Sequence, residues 1–270
     1  MSKRLTFVKH FSNGGKYFIY VSTCNYIIIL YICRNFFNMK SFKSEIQKQI
    51  DMIPEGRIFA FDDLVFPLSK FANVAVILSK LAKEKKLIRI EKGAYYKPKP
   101  SSLGLGYLPV YQEEKLNYLT NKLNGYLTGA YIYNKMSLTE QIPSVITIAV
   151  HYPVRAFKFG KLSVECVKAY VDIHDDGGQE LHLVRILDAI KDCRRIPGTN
   201  PQLAYDRIFN LHVSSLEYAK LKKLVHLSKN YPPRVRKMLS RMLQENNNKE
   251  LEELLTATIC PTTKFKLPYK

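Results

Sequence analysis

Ser69, Asn73, Val76, Lys80 and Lys83 follow one another at intervals of four, three, four and three residues. On an α-helix, where each residue turns the chain by about 100°, that spacing lines a single face. The side chains are a hydroxyl, an amide, a small apolar group and two cations. Such groups can exchange hydrogen bonds with base edges, meet a thymine methyl and pair with phosphates. Shortly downstream, Arg89 lies in a strand-like run and Lys92 precedes Gly93 at a turn, where Gly can take a positive φ. Cations there can meet phosphate, and the one at the tip can reach a minor groove. A second set follows Pro233, where Arg234, Lys237 and Arg241 line one helical face and Val235, Leu239 and Met242 the other. Between Tyr218 and Gln244 there are eight Lys/Arg and no acid. That face is either an ordinary solvated one or a second phosphate-contacting surface, for duplex DNA or another nucleic acid such as tRNA.

Several elements must hold these residues in place. Opposite the first stripe, Val74, Ile77, Leu78 and Leu81 form an apolar face that predicts burial. The runs Leu87–Glu91 and Ala94–Lys97 predict a hairpin, which Pro98 ends because it has no N–H for a ladder. Upstream, Ser41 or Ser44 can cap a helix with Phe42, Ile46, Ile50 and Ile53 on its apolar face, and Pro54-Glu55-Gly56 stops it. Arg57–Phe61 reads as extended. Asp62-Asp63 can start a brief second helix through Leu64 and Val65, and Pro67 breaks it before a helix that starts at Ser69. Helix, strand, helix, turn, helix and β-wing in this order spell a winged helix-turn-helix, and they predict DNA binding over residues 39–100.

The stretch from Pro98 to Gly106 is rich in Pro, Ser and Gly and reads as a boundary. Beyond it, residues 107–270 predict a second domain. Tyr111–Leu123 reads as helix, Val145–Val150 as a buried strand, Phe159-Gly160-Lys161 as a turn and Leu162–Ile173 as a strand closed by Asp175–Gly178. Leu183, Ile186, Leu187 and Ile190 mark an amphipathic helix ended by Pro197-Gly198. From Ser215 the chain reads as mostly helical, with an extended tail over 264–270. The expected class is α+β: an N-terminal winged helix-turn-helix followed by a mixed α+β C-terminal domain.

A formal net charge of +19 asks for a polyanionic partner, either nucleic acid or an anionic membrane surface, and an apolar content of 46% excludes global disorder. Five scattered cysteines without a CxxC pair imply neither a disulfide framework nor a zinc ribbon, and a reducing cytosol is the simpler setting. Residues 1–38 have a different composition. Their apolar run, Tyr17–Cys33, is short for a membrane span and contains Ser22, Thr23 and Asn25, and no small-residue cleavage site follows it. The bias toward Phe, Ile, Tyr, Asn and Lys is what AT-rich DNA encodes when read upstream of a true start. Met39 stands directly before the first well-patterned helix. The expectation is therefore an extension lying outside the functional domains, with a membrane anchor over 17–33 as the alternative.

Catalytic signals are weak. Asp172-Ile173-His174-Asp175-Asp176 groups possible metal ligands, but their contiguity reads better as a turn. Gly14-Gly15-Lys16 lacks the first Gly and the Ser/Thr of a phosphate-binding loop. His151, His182, His212 and His226 are spread out, and none sits near a Ser or Cys in a pattern that suggests a triad. No catalytic residue, metal or cofactor is expected.

Across both halves the chain resembles the AbiEi-type antitoxins, regulators of type IV toxin–antitoxin pairs. Residues 53–59 (IPEGRIF), 78–81 (LSKL), 92–98 (KGAYYKP), 127–129 (LTG), 134–143 (NKMSLTEQIP) and 231–236 (YPPRVR) carry the likeness. It runs from about Met39 to the C-terminus. The chain departs from that pattern at Met136-Ser137-Leu138 and Met238–Arg241. The resemblance implies a cytoplasmic antitoxin active in abortive infection, a form of phage defence. It would repress its own operon by binding repeats in double-stranded DNA, and counteract a nucleotidyltransferase-like toxin without a stable complex. A winged-helix regulator with an effector-sensing C-terminal domain and no toxin partner is the alternative.

Overall fold

The computed structural model describes residues 42–101, 106–173 and 179–261. Ser41–Lys270 forms one compact unit. The protein is mixed α+β, with nine α-helices and two sheets among the described residues.

Helix α1 (Phe42–Met52) buries Ile46 and Ile50, and Ile53 packs against the same core just past its end. The Lys97 ammonium caps it, donating to the carbonyls of Ile50, Asp51 and Ile53 at 3.0, 2.8 and 2.7 Å. A cation thus satisfies carbonyls at the helix end, where the Ile50 carbonyl also accepts the Ile53 N–H at 3.1 Å. Strand β1 (Ile58–Ala60) leads into a 3-10 turn, Phe61–Asp63, where the Asp63 carboxylate accepts the Ala60 N–H at 2.7 Å. The expected short helix through Val65 is only this turn. Leu64 is already extended, and the Gln49 amide takes both the N–H and the C=O of Val65, at 2.7 and 2.9 Å. Those backbone groups cannot also join a helical ladder.

A second 3-10 turn, Leu68–Lys70, precedes α2 (Phe71–Lys83), so Ser69 lies ahead of the helix and not within it. Lys85, at φ +58°, turns the chain out of α2, and the Lys86 and Leu87 N–H groups bond back to the Leu81 carbonyl. Strands β2 (Ile88–Glu91) and β3 (Ala94–Tyr96) form an antiparallel hairpin around Lys92-Gly93, with Gly93 at φ +85°. The sheet order is β1-β3-β2.

Helix α3 (Gln112–Leu123) follows, and its Glu114 carboxylate accepts the Ile58 N–H at 2.9 Å. Ile58, Ala94 and Tyr96 share one apolar cluster with Leu116, Leu119, Ile148, Phe159 and Val164. The core is therefore continuous across the boundary expected at residues 98–106.

The second sheet contains β4 (Tyr126–Thr128), β5 (Val145–Val150), β6 (Phe157–Phe159) and β7 (Leu162–Lys168), in the order β4-β5-β7-β6. Only β5 and β7 are parallel. The strand expected through Ile173 stops at Lys168. Between β4 and α4 (Ala130–Lys135), Gly129 has φ +71°, and a Cβ there would lie 2.6 Å from the Thr147 hydroxyl oxygen. No other residue fits that corner.

Helix α5 (Gln179–Asp192) runs through the larger core. Its expected apolar face is fully buried, and so are Val184 and Ala189, because other elements pack around it. Helix α6 (Pro201–Ile208) is capped by Asn200, whose side chain accepts the Leu203 N–H at 2.7 Å. A π-helical stretch, Phe209–Val213, continues it. Helices α7 (Tyr218–Ser228), α8 (Pro233–Glu245) and α9 (Lys249–Thr256) complete the described chain.

The expectations for residues 1–38, His174–Gly178 and the tail over 264–270 fall outside the described residues. Among those that are described, no helix is long and apolar enough to cross a membrane.

Candidate nucleic-acid interface

Helix α2 sorts its residues by side. Val74, Leu78 and Leu81 are buried against α1 and the hairpin, and Ile77 is half-buried. On the other side Asn73, Val76, Lys80 and Lys83 are exposed, and so is Ser69 in the preceding turn. Val76 is 68% exposed, although it is apolar and central on its helix. Beside it, Ala75, Val76, Ser79, Lys80 and Lys83 line a shallow open groove. Four of the five expected stripe positions, Asn73, Val76, Lys80 and Lys83, thus share an exposed side of α2, while Ser69 lies in the turn before it. Lys70, next to Ser69 in the turn before α2, is exposed as well.

The support beneath this stripe is stiff. Phe61, Phe66 and Phe71 form an aromatic trio at the start of α2, with ring centroids 4.7 and 6.2 Å from that of Phe71. The Gln49 clamp fixes the loop before it, and Lys97 ties the base of the hairpin to the end of α1. Such anchoring limits the side-chain and loop ordering that binding would otherwise cost. Arg89 on β2 and Lys92 at the hairpin tip are both exposed.

The second basic set is differently placed. Helix α8 buries Val235, Met238, Leu239, Ser240, Met242 and Leu243. Arg234, Lys237 and Arg241 are only half-exposed, and Arg241 pairs with Glu245 at 3.3 Å. On the neighbouring helix, Lys223 pairs with Glu180 on α5 and Lys220 with Glu217. Much of the charge is spent within the protein.

Two motif positions meet in the interior. Thr128 donates to Asp188 at 2.7 Å, and the Tyr231 hydroxyl donates to the other oxygen of the same carboxylate at 3.0 Å. Lys191 stands 3.6 Å away. Burial raises the Asp188 pKa, while Lys191, Thr128 and Tyr231 pull it down. Burial also pushes the phenols of Tyr126 and Tyr231 above their usual range. With Asp188 and Thr128 each about 1% exposed, no substrate reaches this cluster. It pins α5 to β4 and to the α7–α8 corner.

His151 lies 3.5 Å from Asp172 on the surface. Among the described residues, no group of three His, Cys, Asp or Glu side chains could hold a metal ion.

Fold and surface together define an α+β protein that presents a basic helix and hairpin from a rigid frame. The chain belongs to the family described as "Family of unknown function (DUF6088)", which matches residues 45–187. No curated protein matches the chain. Among solved structures it is similar to the RV2827C protein from Mycobacterium tuberculosis, with 15% sequence identity, 82% of each chain covered and a TM-score of 0.37.

Proposed function

We propose that residues 42–100 are a winged helix-turn-helix and that the protein is a DNA-binding antitoxin that represses its own operon. In this reading α2 enters a major groove, where Asn73, Val76 and Lys80 meet base edges. Lys83, Arg89 and Lys92 hold backbone phosphates, and Ser69 contacts the flank. The observation that carries the reading is the stripe on α2. An exposed central Val flanked by an amide and lysines, on a helix pinned at both ends, suits a base-reading surface better than a solvated one. The antitoxin part rests on the likeness to AbiEi-type regulators. On that likeness the protein would act in the cytoplasm, with a nucleotidyltransferase-like toxin as its functional counterpart.

Two measurements test this. The full chain should bind the duplex upstream of its own gene more tightly than a mixed-sequence duplex. Asn73→Ala should remove about 1–3 kcal/mol of that preference, the usual value of a base-edge contact; equal affinity of the wild type for both duplexes sinks the reading. Co-expression with the neighbouring gene product should restore growth if that product is a toxin. No rescue would leave a DNA-binding regulator without the antitoxin role.

A further inference from the structure

The hairpin β6–β7 lies at the edge of the second sheet, and its turn sits against the first hairpin. A Cβ built on Gly160 would lie 3.8 Å from the Ile90 methyl on β2. Beneath the contact, Ile90 and Phe157 pack against the shared core, and the buried Phe159 stacks on Tyr118 with ring centroids 5.4 Å apart. Two hairpins that are distant in sequence are thus fastened side by side by apolar packing.

Their outward residues include several cations. In β6, Phe157 and Phe159 turn inward, so Lys158 between them points out. Lys158, Lys161 in the turn and Arg155 just before the strand are all exposed. Arg89 flanks Ile90, and Lys92 lies two residues further, roughly 7 Å along an extended chain. The first hairpin is not purely basic. Glu91 lies on it, and Glu91, Asp62 and Asp63 act on the Tyr118 phenol below, which burial first of all pushes up to about 12. The second hairpin also carries one exposed acid, Glu165 on β7, but its turn and the chain before it are free of acid, since none occurs between Glu140 and Glu165.

We propose that β6–β7 is a second wing, whose Arg155, Lys158 and Lys161 hold the phosphates of the same DNA duplex beyond those held by Arg89 and Lys92. The proposal rests on the DNA-binding reading above. It replaces α8 as the surface that extends the footprint. The phosphates of one strand recur about every 3.4 Å of duplex axis, so two adjacent hairpins can engage a run of them without any change in shape. The competing account is that Lys158 merely guards an edge strand against pairing with another chain.

Salt dependence separates the two. The full chain is titrated with a 40-base-pair duplex from upstream of its own gene, and with a mixed-sequence duplex of equal length, across a potassium chloride series. The variants are Arg155→Gln/Lys158→Gln/Lys161→Gln together, Lys161→Gln alone, and Lys80→Gln/Lys83→Gln. Thermal melting confirms that each is folded. Each lost phosphate contact lowers the slope of log affinity against log salt by about 0.9. The triple variant should therefore lose roughly two to three units of slope, equally on both duplexes, and Lys161→Gln about one. Lys161→Gln decides alone if the triple variant fails to fold. An unchanged slope in the hairpin variants, with a reduced slope in Lys80→Gln/Lys83→Gln, overturns the second wing and leaves the DNA-binding reading standing. Absence of salt-dependent binding by the wild type overturns both.

Discussion

Helices α2 and α8 have the same length, 13 residues, and both put an apolar face opposite a row of cations, yet they play different parts. Helix α2 fully buries three residues and leaves the opposite side open to solvent. Helix α8 fully buries six, and its row of cations is half-covered. Arg241 there pairs with Glu245, and the Arg236 guanidinium donates to the Thr258 carbonyl at its own end of the protein. The difference is in what packs around each helix. Helix α8 lies among α5, α7 and α9, whereas α2 has neighbours on one side. A basic helix is free to take a polyanion only where the fold leaves that side uncovered.

The contrast can be broken by mutation. The largest effect is expected inside α8: Leu239→Ala should cost about 2–5 kcal/mol of stability, as deletion of a fully buried aliphatic does. Val76→Ala on α2 should change stability by no more than about 0.5 kcal/mol while weakening duplex binding. Urea denaturation of both variants checks the pair, and equal losses would erase the distinction. Next in size is salt dependence. Lys80→Gln/Lys83→Gln should lower the slope for duplex binding by about one unit, from the phosphate contact of Lys83, and Arg234→Gln/Lys237→Gln should leave it unchanged. A reversed result would make α8 the interface.

The remaining tests have smaller effects. Arg241→Ala should cost less than about 1 kcal/mol, because its pair with Glu245 is partly exposed. On the far side of the core, His182 on α5 lies edge-on to His212, with ring centroids 5.8 Å apart. Burial, and then His212, Arg185 and Lys220, hold its pKa below the usual value. The unfolded chain then takes up a proton at a higher pH than the folded one. Stability should fall as pH drops below about 6.5 and level off once the folded-state pKa is passed. His182→Gln should flatten that fall, as followed by thermal melting between pH 5 and 7.5.

Local pattern made much of this legible. The faces of α1, α2 and α5, the hairpin at Lys92-Gly93 and the strand β5 follow from periodicity and from one Gly. The short elements did not stand out: β4 has three residues and α4 six, too few for a period to show, and both are held by Gly129 against Thr147. Helix α6 was missed despite its Asn200-Pro201 start. The extra helix expected at Asp62 failed because Gln49, far away in sequence, occupies the Val65 backbone. Thr128 and Tyr231 were visible as motif residues, but nothing local pointed to Asp188 between them.

By itself the sequence determined which faces are apolar, where the turns fall and how strongly the chain attracts polyanions, since these depend on residue order and formal charge. Tertiary packing alone decided which cations remain available. It covered the α8 face and left the α2 stripe open. It also set Gly160 against Ile90, joining two hairpins some seventy residues apart. Whether a lysine meets solvent, a carboxylate or a phosphate depends on what lies a few ångströms away in space. The order of residues does not record that.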